Sequence, residues 1–515
     1  MGKTNFATLL KNERNNAKTL TENGAIAYET SGKHLLDFNF KLSQYRNLSV
    51  EEIKDDFTKV FYEDPLIATK FVFYVGDVRG GLGERKIFNA CIEWLANNKK
   101  DIALAILWAI PEYTRWDNLC KLVTNCNVHN EALHIIKNTL LDDISNMRNN
   151  KPITLLAKWM PSINASSKET TKLARIICNF LGTTPREYRQ MLSALRRYLN
   201  VVEVKISANE WKDVNYASVP SQANLRYNSA FLKHDETRRR AYLESLRKGE
   251  TKINASVSQP HEIVRSYLKN ADWYYCYRTE LKKYDETLEQ MWKALPNIAV
   301  EDSLVVRDGS ASMTCPSGSG KTSCLDVATA LAIYCAEHNS KEWKDKFITF
   351  SSHPEFIDLS KCKTLRDKLM RCYSETDCSN TDIMATMKLI LNTAIKNNCT
   401  QDEMPKNIII ISDMQFDGTR YNRFNWDKTL FEVISAEYKA HGYLLPKIIF
   451  WNVSSRNFST IPMQNNELGL ILCSGFSTTN MKMFMSGEIN PYKVLLEQIN
   501  AERYNPIEES IKQLI

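Results

Sequence analysis

Near Pro296 the spacing of apolar residues changes character, and that change constrains the fold more than any other feature of the 515 residues. From about residue 50 to 290, apolar side chains recur at three and four positions, as in FTKVFYEDPLIATKFVFYV, KIFNACIEWLANN, IALAILWAI, EALHIIKNTLLDDI and LARIICNFL. This is the spacing of helices that bury one face. Pro65, Pro111, Pro152, Pro161 and Pro185 punctuate them, so the region reads as all-helical, antiparallel pairs stacking to bury their apolar stripes. Beyond Pro296 come short runs rich in β-branched residues: LVV (304–306), FITFSS (347–352), NIIIISD (407–413), KIIFWNV (447–453) and LGLILCSGF (468–476). Helical segments at 325–338, 382–398 and 430–442 separate them. Strands alternating with helices form a parallel sheet whose ligand site lies at the carboxyl ends of its strands. The expectation is an α+α/β chain: a HEAT-like helical repeat domain over 1–295, then a Rossmann-type α/β domain over 296–515.

No apolar run approaches the twenty or so residues that span a bilayer, and the N-terminus has too much charge for a secretory signal. An intracellular, cytoplasmic location is expected, or a virion if the source is a virus or phage. The 13 cysteines are odd in number, dispersed, and lack the C-x-x-C spacing of zinc or redox sites, which makes them small core residues. Residues 1–300 carry 44 basic and 34 acidic side chains, the remainder 23 and 26. Nearly all the excess lies in 151–250, with 18 basic and 9 acidic residues. A positive field of this kind suits RNA; the plainer reading is a solvated helix face.

The stretch SLVVRDGSASMTCPSGSGKTS (303–323) holds two rival signatures. Ser317 to Thr322 resembles the end of a phosphate loop, but Cys315 stands where the first glycine belongs. A long polar stretch also separates the segment from its strand, so an ATPase using Lys321 is the weaker reading. In Asp308-x-Ser310-x-Ser312 at a strand end, alternate side chains project toward one point and offer the hard oxygen ligands that Mg²⁺ prefers. Asn380-Thr381-Asp382 before a helix, and Ser412-Asp413 closing NIIIISD, lie where a parallel sheet brings them beside Asp308.

On these residues the C-terminal domain resembles the von Willebrand factor A fold, and Asp308, Ser310, Ser312, Thr381 and Asp413 match its metal-ion-dependent adhesion site. The resemblance implies that Ser310, Ser312 and Thr381 ligate Mg²⁺, that Asp308 and Asp413 act largely through water, and that one position stays open for an acidic oxygen of a protein partner. FVFY (71–74), DVRGGLGER (77–85) and PEYTRWDNL (111–119) resemble the TROVE module of Ro autoantigen proteins. LLAKWMPS (155–162), YRQMLSALRRYLNVVE (188–203), and Trp211 followed by VPSQANLRYNSAF (219–231) are similar to an uncharacterised family that joins a TROVE-like helical domain to an A-like one. Ro proteins bind RNA ends through basic surfaces of helical repeats. Charge alone places the corresponding contacts here at Lys158, Arg196, Arg197, Arg238, Arg239, Arg240, Arg247 and Lys248.

The aromatic cluster WYYCY (273–277) could stack bases or fill a core, and Arg79 and Arg85 could be purely structural. No nucleophile and base pattern emerges. The expectation is therefore a non-enzymatic, Ro-like RNA-binding scaffold with no membrane segment and no DNA specificity. Its rival is a metal-dependent protein-interaction or assembly module without RNA.

Overall fold

The computed structural model describes residues 18–515 apart from 23, 25, 125, 270–279, 318–321, 351–353, 375–381, 417–429, 457–459, 463–468 and 485. The chain forms two compact units: one from the segment up to Glu52 with Ser258–Gln498, the other from Ile53–Val257 with Ile499–Ile515. The segments 18–52 and 258–295 belong with the sheet, and the last 17 residues belong with the helices. No helix among the described residues is long and apolar enough to cross a membrane.

The sheet unit opens with an antiparallel hairpin, β1 (Lys18–Leu20) and β2 (Ile26–Tyr28), and helix α1 (His34–Phe40). Leu36, Phe38 and Phe40 of α1 are buried.

In the helical unit, the apolar spacing becomes helices α2 (Val50–Glu63, largely in this unit), α3 (Pro65–Gly76), α4 (Arg85–Asn98), α5 (His129–Arg148), α6 (Lys168–Phe180), α7 (Pro185–Tyr198), α8 (Ser221–His234) and α9 (Glu236–Arg247), with shorter helices and turns between them. Two of the prolines read as punctuation stand in first turns. Asp64 caps α3 by accepting from the Ile67 amide at 3.0 Å, with Pro65 behind it; Thr184 and Glu187 form a capping box around Pro185 at the start of α7. Proline fits there because the first turn has no intrahelical acceptor for its missing N–H. Between α3 and α4, Gly81 lies so close to α3 that a β-carbon would stand 2.0 Å from the Tyr74 carbonyl oxygen, which accounts for the glycine.

The sheet unit continues with α10 (Pro260–Tyr267) and α11 (Glu286–Lys293). The sheet strands are β3 (Ser303–Asp308), β4 (Lys346–Phe350), β5 (Phe356–Asp358), β6 (Asn407–Ser412), β7 (Lys447–Asn452) and β8 (Leu470–Ser474), in the order β5-β4-β3-β6-β7-β8. All neighbours pair in parallel except the short edge strand β5, which runs antiparallel to β4. The intervening helices are α12 (Cys324–Glu337), α13 (Leu365–Ser374), α14 (Ile383–Lys396) and α15 (Leu430–Ala440). Every residue of β3 and β8 is buried, as expected for strands covered on both faces. Helix α12 is buried from Cys324 to Ala336 and touches β3, β4, β6, α10 and α13. Its four alanines keep it thin enough for neighbours on every side.

Candidate metal centre and charged surfaces

Strand β3 delivers Asp308 to the carboxyl edge of the sheet, where it is 0% exposed. Its Oδ1 accepts from the Ser310 amide at 2.9 Å, and its Oδ2 accepts from the Ser412 hydroxyl at 2.5 Å. Beyond β3 the chain turns through Ala311–Thr314, which sets the Ser310 and Ser312 hydroxyls 2.9 Å apart. The register Arg307↔Ile411 brings the end of β6 alongside β3, so Asp413 follows Ser412 into the same cluster. Asp413 is buried; one oxygen accepts from the Gln415 amide at 3.2 Å, and the other is buried with no hydrogen-bond partner among the described residues. Burial, then the charge of Asp413, pushes the Asp308 carboxyl up to about 7. Asp413 is also raised, chiefly by burial, against the opposing pull of the Ser312 hydroxyl, the Gln415 amide and the Arg456 guanidinium.

Four of the five expected ligands thus gather at one point. Thr381, like Lys321 and the WYYCY cluster, lies outside the described residues; its neighbour Asp382 caps α14 by accepting from the Ala385 amide at 3.0 Å. The set fits a hard divalent cation: two hydroxyl oxygens converge near a buried carboxylate, one oxygen of which makes no hydrogen bond of normal geometry among the described residues although the Ser312 hydroxyl lies close enough to act on the acid. Among the described residues no group of three or more His, Cys, Asp or Glu side chains is placed to hold a metal, so the set is a mixed hydroxyl and carboxylate one. Sequence spacing did not mark the rim of the cluster. Arg456, four residues beyond β7, pairs with Glu22 at 3.3 Å and donates to the Cys315 sulfur. Its signal was only that it follows a strand end.

The rival loop is closed at its base, where the Ser317 amide donates to the Thr322 carbonyl at 2.7 Å. Helix α12 starts afterwards, its first amides engaged by a capping box of Ser323 and Asp326.

The basic residues separate into two kinds. Arg196 donates to the Ala157 and Met160 carbonyls at 2.8 Å each and to the Ser162 hydroxyl at 3.2 Å. Arg238 binds Asp235 and the Val214 carbonyl, each at 2.8 Å. Arg239 is fully buried, its guanidinium 5.0 Å from the Tyr216 ring centre and close to Phe231 and Tyr242. Arg239 is therefore withdrawn from any RNA surface, and Arg196 and Arg238 have their donors engaged in holding the fold. Arg240 and Arg247 are exposed and paired with Glu236 and Glu244, at 2.8 and 3.3 Å. Arg197 and Lys248 are exposed, and Lys158 is half-buried over the Trp159 ring. Sequence reasoning missed a cleaner stripe: Lys168, Lys172 and Arg175 on α6 are exposed, one helical turn apart, and in no ion pair among the described residues. The signal was present in that i, i+4, i+7 spacing. Arg85 pairs with Asp117 and Asn118, and Arg79 donates to the Glu112 carbonyl at 2.9 Å, so both are structural.

Two family profiles match the chain. A domain of unknown function, DUF2828, covers residues 21–111 and 127–301, and a second, DUF7788, covers 302–512. An uncharacterized protein, L728, of Acanthamoeba polyphaga mimivirus is 29% identical over 525 aligned residues, spanning 95% of this chain and 88% of the relative.

Proposed function

From the premise that the chain belongs to the family of the domain of unknown function DUF2828, we propose that it is a non-catalytic binding scaffold whose sheet unit holds Mg²⁺ and takes up an acidic oxygen of a partner. On this reading the sheet unit is a von Willebrand factor A-like fold, and the observation that carries it is the buried oxygen of Asp413, without a hydrogen-bond partner among the described residues, beside Asp308 and the paired hydroxyls of Ser310 and Ser312. Ser310 and Ser312 would hold the cation directly. Asp308, both of whose oxygens already accept hydrogen bonds, would act through water. A bound divalent cation supplies a coordination position to which an anionic oxygen is drawn. Two acids with two hydroxyls suit holding a cation better than the two-metal hydrolysis that clustered carboxylates support.

Calorimetric titration with Mg²⁺ and Mn²⁺ tests the site. Asp413→Ala should weaken binding by about a hundredfold, near 2.7 kcal/mol. Equal binding by wild type and Asp413→Ala refutes the reading.

For the helical unit, contact with RNA is supported by the exposed stripe of Lys168, Lys172 and Arg175. Lys158 also borders a cavity of about 580 Å³ that Lys205 helps to line. RNA affinity should fall with salt, and Lys168→Glu with Lys172→Glu should reduce the slope of log affinity against log salt by about two phosphate contacts. A slope that is flat, or unchanged by the double reversal, counts against RNA contact at this face.

A further inference from the structure

The turn after β1 lies on the metal cluster. The Thr21 hydroxyl donates to the Phe416 carbonyl at 2.7 Å, and the Glu22 amide donates to the Gln415 side-chain oxygen at 2.9 Å. Gln415 is the residue whose own amide binds Asp413, so the turn is strapped to the loop that carries that acid. The Glu22 side chain pairs with Arg456, and Arg456 contacts Cys315 at the end of the turn that carries Ser312. Glu22 thereby reaches the loops behind both β3 and β6. The loop after β6 carries the buried Asp413 oxygen that has no hydrogen-bond partner among the described residues.

We propose that Glu22 is the acidic group that closes the cation site from within the chain, its carboxylate turning from Arg456 to the bound divalent ion and filling the position an external acid would otherwise take. This rests on the metal reading of Asp308, Ser310, Ser312 and Asp413. The charges favour the exchange. Without the ion, Arg456 on the rim of the cluster holds the Glu22 carboxylate at 3.3 Å. A divalent ion beside Asp413 repels Arg456 and attracts Glu22 more strongly than one guanidinium does. The pair to be broken is partly exposed, and such pairs contribute little. A partner's acid must then displace Glu22, which makes the hairpin a competitive guard of the site.

Terbium(III) luminescence lifetimes in H₂O and D₂O count the waters on the bound ion. Wild type, Glu22→Gln and Asp413→Asn should be compared, with Mg²⁺ as competitor. The expected result is uptake by wild type and by Glu22→Gln, with one or two more waters and about tenfold weaker affinity in Glu22→Gln, and loss of uptake in Asp413→Asn. Arg456→Gln should bind more tightly than wild type. Equal water counts in wild type and Glu22→Gln overturn the role of Glu22 while leaving the site standing. Uptake that is absent, or untouched by Asp413→Asn, overturns the site and the guard together.

Discussion

Asp308 and Asp413 are both buried and close enough for the charge of one to raise the other, a cost that a divalent cation between them would relieve. That tension sets a specific pattern of stability. Mg²⁺ should raise the melting temperature of wild type, by about 2.7 kcal/mol of stabilisation at a hundred times its dissociation constant. Asp413→Asn should melt higher than wild type in EDTA and show no response to Mg²⁺, and thermal scans with and without the ion check both. Arginine shows how far identity falls short of role. Arg196, Arg238, Arg239 and Arg240 look alike in a basic segment, yet the first three are occupied by carbonyls, a carboxylate or aromatic faces, and the fourth points outward. Arg196→Ala should destabilise the helical unit by about 1–3 kcal/mol, because three acceptors lose their donor. Denaturant midpoints measure this, and RNA affinity per folded molecule should stay unchanged. The meeting of Asp308, Ser310 and Ser312 was legible because a strand end followed by D-x-S-x-S has a definite geometry. The fate of an individual arginine depends on which carbonyls the fold brings near it, and no spacing rule contains that.

At the scale of elements, local pattern carried most of the information. The five expected strands appear within a residue or two at the points described, because continuous β-branched runs suit only a sheet covered on both faces. Helix α12 was expected at 325–338 and spans Cys324–Glu337, but its burial on all sides comes from its neighbours. With neighbours on every side, Ala332→Leu should cost about 1–3 kcal/mol by overpacking, read as a lower unfolding midpoint with unchanged slope. The hairpin of β1 and β2 and the edge strand β5 were not foreseen. Three-residue strands carry too few side chains to show a period, and their pairing is decided by partners distant in sequence.

For the whole molecule, the chain crosses between its two compact units more often than a simple two-domain division allows. Lys70, 1% exposed, pairs with Glu508 at 2.7 Å, and the fully buried Asp77 is held by Arg503 and by the Tyr504 hydroxyl at 3.2 Å. A fragment 1–295 removes those partners from the helical unit, and a fragment 296–515 removes β1, β2, α1, α10 and α11 from the sheet unit. Both should be less stable than the full chain. Leaving a buried Lys70 unpaired costs about 3–5 kcal/mol, so fragment 1–295 should show helical circular dichroism with an early, broad melt. Fragment 296–515 should aggregate on size exclusion. By itself the sequence determined the class of each region, the strands and helices that build it, and four of the residues that meet at the sheet edge. These follow from the period of apolar residues and from hydroxyl and acid side chains set at strand ends, which are properties of neighbours along the chain. Only the tertiary structure decided that the two ends of the chain exchange units, that Arg239 is buried, and that Glu22 meets Gln415 and Arg456. Each of these is a meeting of residues tens to hundreds of positions apart, where the winning contact is chosen by the burial and charge of the completed fold.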